Sequence, residues 1–161
     1  MENIDWRKHH CFIPHEGWCG PATIKMVLSA CGIKKSLRSI ARDVYVPWYG
    51  TPSALLIAYL SKYFSLVNYR TGATISDISR HLTMGHILIV NFWDNGDGHY
   101  AIISEYKDGY LTIVDSSRER GWTWALSAKE LKNIWYDTIT ETLWHEGLLI
   151  WISPSSKRVN R

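Results

Sequence analysis

Apolar positions recur at helical spacing through the first half of the chain. In the second half they gather into short β-branched or aromatic runs. Ile24, Val27, Leu28 and Cys31 line one face of a helix whose first turn accommodates Pro21 and whose stop is Gly32. Ser36 is placed to cap a second helix with Leu37, Ile40, Ala41 and Val44 on one side. After Pro47-Trp48-Tyr49-Gly50, Thr51 and Pro52 open a third helix with the stripe Leu55, Leu56, Tyr59, Leu60 and Tyr63, and a shorter helix is predicted over about 76–83. Strands are predicted at 87–92, 100–104, 110–114 and 148–152, each bounded by turn residues. One further helix interrupts them: Ser127 with Glu130 forms a capping box, and Leu126 with Leu131 the accompanying staple.

Helices followed by strands predict an α+β domain, N-terminal helices packed on a C-terminal antiparallel sheet. Repeats and low-complexity linkers are absent, and 161 residues fit one domain over 1–161, with a frayed tail from about 154. Chains of this size bury about two-thirds of their unfolded surface, enough for a core without metal or disulfide staples. A net charge of +3, scattered along the chain, gives no reason to expect nucleic acid or a membrane surface as partner. No apolar run reaches the length of a membrane span, and Met1-Glu2-Asn3-Ile4-Asp5-Trp6 is not a signal peptide. Three cysteines without framework spacing argue against a disulfide-built secreted fold, so a cytoplasmic location is expected. His9-His10-Cys11 are adjacent residues that cannot all point at one ion, and neither a metal nor a cofactor is expected. Oligomeric state is not readable.

The chemistry concentrates in His15-Glu16-Gly17-Trp18-Cys19-Gly20-Pro21-Ala22, which sets a cysteine at the start of an apolar-faced helix. A thiol must ionise to attack a carbonyl, and the partial positive charge of a helix N-terminus favours the thiolate. Gly20 removes a side chain where a substrate backbone would approach, and Pro21 lacks an N–H that the first turn would leave unpaired. Cys11 and Cys31 read as ordinary buried thiols.

His99 lies in Asn95-Gly96-Asp97-Gly98-His99-Tyr100, where a glycine-rich loop becomes a strand, and Asp115 ends the next strand. A two-residue Asp108-Gly109 loop would pair Asp115 with Ile102 and put His99 on the opposite face. A three-residue loop pairs Tyr106 with Tyr110 and Asp115 with Ala101, making His99 the diagonal same-face neighbour of Asp115. That register also collects Ala101, Ile103, Leu111 and Ile113 into an apolar floor facing the helices, so the three-residue loop is expected. Cys19 is then the nucleophile, His99 its base and Asp115 the group that orients the imidazole.

Cys-Gly-Pro-Ala opening a helix, Gly-His-Tyr-Ala-Ile-Ile on a strand and Ile-Val-Asp closing the next resemble one family. It is the papain-like cysteine peptidases of family 39, which remove double-glycine leaders from bacteriocin precursors, with their stand-alone relatives. The resemblance runs from about Pro14 to Trp135. It implies a papain-like cysteine proteinase fold, a peptide or protein substrate, a thioester intermediate and catalytic Cys19, His99 and Asp115. Trp18, Gly20, Gly50 and Gly98 are the candidate cleft residues. Family members usually carry a glutamine several residues before the cysteine, whose amide helps to bind the oxyanion; this chain has no Gln, and His15 is the candidate substitute. The bacteriocin enzymes are usually fused to a transporter, whereas this chain shows no membrane part, so a substrate is expected as a soluble partner. The same Cys-His-Asp order would also serve an acyltransferase or a glutamine deamidase. A catalytically silent relative would keep Trp18, Trp48, Tyr49, Trp122 and Trp124 as peptide-contacting aromatics.

Overall fold

The computed structural model describes residues 4–94, 96–140 and 143–158. After a short helix α1 (Trp6–His9), helices α2 (Cys19–Ala30), α3 (Leu37–Val44) and α4 (Ser53–Ser61) follow one another. Ser36 caps α3 by accepting the Ser39 N–H, as its sequence position suggests. On α4 the expected stripe is narrower than predicted: Leu56, Tyr59 and Leu60 are buried, but Leu55 faces solvent.

A six-stranded antiparallel sheet forms the centre. It is built from β1 (Val67–Arg70), β2 (Ile87–Asp94), β3 (Asp97–Lys107), β4 (Tyr110–Val114), β5 (Thr123–Ser127) and β8 (Leu149–Ile152), in the order β1-β8-β2-β3-β4-β5. Helix α5 (Ile75–Thr83) precedes β2, and α6 (Ala128–Ile134) follows β5; β6 (Tyr136–Thr140) and β7 (Leu143–Glu146) form a separate two-stranded ribbon. Both capping boxes close: Ser127 with Glu130 on α6, and Thr74 with Asp77 on α5. Strands β1, β5, β6 and β7 and helix α1, each four or five residues long, escape the sequence pattern; β4 and β8 are as short but are apolar or β-branched throughout most of their length, whereas β1 (VNYR) carries one aliphatic residue and reads as polar.

Because the sheet is covered on both sides, its central strands are apolar throughout rather than alternating. Ile87, Ile89, Tyr100, Ile102, Val114 and Ile150 pack against Ile24, Leu28, Ile40 and Leu60 of α2–α4. Leu88, Val90, Ala101, Ile103, Leu111 and Ile113 pack with Ile78 of α5 and Leu131 of α6. The predicted floor therefore exists, but it faces α5 and α6, not the N-terminal helices.

The β3–β4 hairpin corrects the sequence reading in one place and preserves its consequence. Lys107 pairs with Tyr110, so the loop has two residues, Asp108 and Gly109. Both have positive φ, 51° and 83°, the twist that suits a tight hairpin between right-twisted strands. A bulge between Ile103 and Glu105 then shifts the register by one, restoring the pairs Ile103–Ile113 and Ile102–Val114. Ser104, the residue bulged out, donates its hydroxyl to the Thr112 carbonyl. Continued one step, this register sets Asp115 opposite Ala101, the pairing expected from a longer loop.

The tail corrects a second expectation. Residues 154–156 form a 3₁₀ turn, Lys157 bridges to Phe64, and the Arg158 N–H donates to the Tyr63 carbonyl at 2.7 Å. The Lys157 ammonium donates to the carbonyl of Cys31, the residue that caps α2, and the Arg158 guanidinium to that of Ser61, the last residue of α4. Cations at helix C-termini satisfy orphan carbonyls, and that fixes a tail that looked merely basic. The rest of the predicted tail, 159–161, lies outside the described residues.

Candidate active site

Helix α2 begins at Cys19 itself, after Trp18 as a cap that offers no side-chain hydrogen bond. Cys19 is 8% exposed, so its thiol sits at the mouth of the core rather than in solvent. One turn on, the Thr23 hydroxyl donates to the carbonyl of Tyr100 at 3.3 Å. That bond fastens α2 across β3 at the residue next to His99. With the helix held there, Cys19 is close enough to the His99 ring to influence its charge.

His99 is flanked edge-on by Phe92, its cross-strand partner, with ring centroids 5.5 Å apart. Its Nε2 lies 2.7 Å from Asp115 Oδ1. An ionised carboxylate can only accept, so Nε2 carries the proton of this bond and Nδ1 is left for the thiol. Asp115 is fully buried. Its Oδ1 also accepts the Ser117 N–H at 2.8 Å, and its Oδ2 accepts the Trp124 indole N–H at 2.9 Å. The Asp115 carbonyl, in turn, is met by His10 Nε2 at 2.6 Å. Every polar atom of this buried residue thus has a partner, the condition for keeping a charge inside a protein.

These contacts set the charge states. Burial would raise the Asp115 pKa, but the hydrogen bonds from His99, Ser117 and Trp124 and the charge of His99 outweigh it and hold the carboxyl below its usual range. Burial would likewise lower the His99 pKa. The hydrogen bonds to Asp115 and Cys19, with their charges, win and push it up to about 10. The arrangement favours an imidazolium held against a carboxylate. Burial also raises the other two free thiols, Cys11 despite the nearby Lys25 charge and Cys31 to about 11 despite Lys157.

The remaining candidates divide. Trp18 is half-buried between the rings of His15 and Tyr45, at 5.0 and 6.2 Å. His15 is exposed, and Gly98 adjoins His99 with its N–H bonded to Asp97 Oδ1. Asn95, in the same loop, lies outside the described residues. A β-carbon added to Gly50, which is at φ 81°, would stand 4.0 Å from the Gly17 carbonyl oxygen. Gly20 is needed for a reason other than substrate approach: a β-carbon there would stand 2.5 Å from Thr51 Cβ and Oγ1, so the space it opens is filled by Thr51. His9, His10 and Cys11 go three ways, to Ser29 Oγ, the Asp115 carbonyl and the Ala22 carbonyl. Among the described residues no group of three His, Cys, Asp or Glu could hold a metal ion, and no helix is long and apolar enough to cross a membrane.

Sequence reasoning missed His10, Thr23, Ser117 and Trp124 as supports of the site. Trp124 belongs to β5, where it pairs with Ile113, and without that strand its indole could not be aimed at Asp115. His10 lies in an irregular lead segment, tied to the loop after β4 through the Ile13 N–H and the Ser116 carbonyl, and no local pattern announces such a tether.

Residues 1–142 match the family described as Peptidase_C39 like family. No curated protein matches the chain. Among solved structures it is similar to a double glycine motif protease from an AMS/PCAT transporter, crystallised in complex with the leader peptide, at 13% identity and a TM-score of 0.62, covering 89% of each chain. It is also similar to the peptidase domain of Streptococcus ComA, a bi-functional ABC transporter involved in quorum sensing, at 14% identity and 0.67, covering 88% of this chain and 96% of that one. A Bacillus anthracis protein described as a C39-like peptidase matches at 10% identity and 0.68, over 93% and 96% of the two chains. At these identities the likeness speaks for the fold, which is α+β and papain-like.

Proposed function

The chain belongs to the Peptidase_C39-like family, and from that premise we propose that it is a cysteine peptidase hydrolysing peptide or protein amide bonds, with Cys19 as nucleophile, His99 as base and Asp115 as orienter. The observation that supports this reading is the buried Asp115 carboxylate bonded to the His99 ring and to the Trp124 indole, with Cys19 neighbouring that ring at the start of α2. The Cys19 thiolate attacks the substrate carbonyl, forming the C–S bond while the carbonyl π pair moves to oxygen. The imidazolium of His99 passes its proton to the leaving amine as the C–N bond breaks, leaving a thioester. His99 then takes a proton from water, whose oxygen displaces the thiol and releases the acid. Asp115 keeps one tautomer and stabilises the charged ring throughout. We take residues 1–161 as one peptidase domain working in a reducing, cytoplasmic setting, where Cys11, Cys19 and Cys31 stay free thiols. The peptide bound to the AMS/PCAT relative supports a peptide as the substrate class.

Iodoacetamide titration tests the nucleophile. Cys19 is expected to be alkylated at pH 7 at least about tenfold faster than Cys11 and Cys31, whose burial disfavours the thiolate, with activity lost in step. Equal, slow labelling of all three sinks the assignment.

The backbone N–H of Cys19 is one oxyanion donor in this reading, and His15, exposed on the turn before it, is the second. His15→Ala then lowers kcat by about a hundred- to a thousandfold with KM little changed. A kcat within twofold of wild type removes His15 from the mechanism. Because the chain has no Gln to fill that place, a narrower acyl-enzyme chemistry is the second reading: acyl transfer, or deamidation of a glutamine side chain. Ammonia release without chain cleavage would select deamidation. Unchanged peptide binding by Cys19→Ala, with no turnover by wild type, would select a silent binding relative.

A further inference from the structure

The loop that follows Asp115 reaches back to the hairpin that carries His99, and one side chain makes the link. Residues 116–122 leave β4 and return, the Trp122 carbonyl accepting the Asp115 N–H at 3.1 Å. From this loop the Arg120 guanidinium donates through Nη2 to Asp94 Oδ1 at 2.6 Å. The pair is partly sheltered, the Arg120 side chain being 33% exposed and that of Asp94 18%. Arg120 also lies over the Trp124 ring, its Cζ 4.4 Å from the ring centre.

Each end of this link touches something the site depends on. Asp94 stands directly opposite Asp97 where β2 turns into β3, two residues before His99. Like charges facing each other across an antiparallel pair destabilise it, and the Arg120 cation offsets them. Asp97 is not free to turn away, since its Oδ1 accepts the Gly98 N–H at 2.8 Å. At the other end, Trp124 meets Phe92 edge-on, with ring centroids 6.2 Å apart, and is capped by the guanidinium. A cation over an indole face is attracted to it, which steadies the ring whose N–H reaches Asp115 Oδ2 at 2.9 Å. Phe92 is also the ring that flanks His99.

Resting on the hydrolytic reading above, we propose that Arg120 is a positioning residue: it clips the loop after Asp115 to the His99 hairpin and steadies Trp124 against the Asp115 carboxylate, so that the carboxylate stays aligned with the imidazole. A surface ion pair of this kind contributes little to global stability. Its consequence lies in alignment, because a misplacement of about 1 Å at a catalytic group costs up to about a hundredfold in rate. Arg120 thus acts through Asp94 and Trp124 rather than on the reacting atoms.

The test follows the His99 ring by NMR titration in the full chain as wild type, Arg120→Ala and Arg120→Lys, and sets it beside kcat and KM on a cleaved peptide. In Arg120→Ala the loosened Asp115 contact should move the His99 titration down by at least about half a pH unit, about threefold in the acid constant. Losing a nearby cation with alignment intact would move it up instead. On the peptide, kcat should fall about ten- to a hundredfold with KM within about twofold of wild type. Arg120→Lys, which keeps a cation for Asp94 and for the Trp124 face, should hold kcat within about threefold. A His99 titration unmoved or moved up, a changed KM with kcat intact, or Arg120→Lys as impaired as Arg120→Ala overturns the proposal. If Arg120→Ala does not fold, Arg120→Gln, which keeps the stem without the charge, is judged by the same outcomes. A wild type that cuts no peptide defeats the hydrolytic reading instead. The His99 titration, which needs no substrate, then decides the positioning role alone.

Discussion

His99→Ala is expected to lower kcat/KM for amide cleavage by about a hundred- to ten-thousandfold and to slow alkylation of Cys19 at pH 7 toward the rate of an ordinary thiol. The ring has two tasks in the proposed cycle, stabilising the thiolate and protonating the leaving amine, and alanine removes both. The pH dependence separates this from mere damage to the fold. Because the folded pKa of His99 is raised to about 10, the imidazolium persists through neutral pH, and the alkaline limb of activity should fall only near pH 10. Stability follows the same sign. The protonated ring's contribution is fully present below its unfolded value of about 6.5 and is lost as pH rises through the folded value. Denaturant melts of wild type and His99→Ala from pH 6 to 10 should therefore converge toward the alkaline end. An alkaline limb near 6.5 would mean that the ring is not held charged, and a His99→Ala enzyme of normal rate would end the assignment.

Asp115→Ala carries the second large effect, and it divides between stability and rate. Removing the carboxylate leaves the Trp124 indole N–H, the Ser117 N–H and the His99 Nε2–H facing an apolar methyl in a fully buried place. Orphaning that many donors costs on the order of 3–5 kcal/mol. Asp115→Asn keeps the shape and one acceptor oxygen but not the charge. It should therefore remain folded near neutral pH yet lose about ten-thousandfold in kcat, the scale of a mis-set tautomer in triads of this kind. The depressed Asp115 pKa adds an acid-side signature. Its contribution to stability is present above the unfolded value of about 3.9 and is lost as pH falls through the lower folded value. Urea melts between pH 2 and 7 should show wild type losing its advantage over Asp115→Asn toward the acid end. A parallel pair of curves, or an Asp115→Asn enzyme of full activity, would show that the carboxylate only packs.

The hairpin between β3 and β4 shows how a sequence can give the right neighbour for an incomplete reason. Apolar parity demanded the register that sets Ile103 opposite Ile113 and Ile102 opposite Val114, and that demand was met. The demand was silent on how, because a loop residue and a strand bulge change the register by the same single step. Asp108-Gly109 makes the tight loop, and Ser104, whose hydroxyl satisfies a carbonyl of the facing strand, makes the bulge. Gly20 is a similar case. Its lack of a side chain beside the cysteine was visible, but the neighbour requiring it, Thr51, is brought in by the loop ahead of α4.

Local and periodic features were determined by the chain alone. The start of α2 at Cys19, the caps at Ser36 and Ser127, the paired strands that carry His99 and Asp115, and the family resemblance all rest on residues close in sequence. Their physics acts over one helical turn or one strand pair. What only the tertiary structure decided was everything made by distant segments meeting at a point. Thr23 fastens α2 to Tyr100, His10 and Trp124 bracket Asp115 from the N-terminal segment and β5, and Lys157 and Arg158 close the ends of α2 and α4. A hydrogen bond is specific to a few tenths of an ångström and indifferent to sequence separation. Spacing can therefore nominate the groups, but only packing sets which donor meets which acceptor.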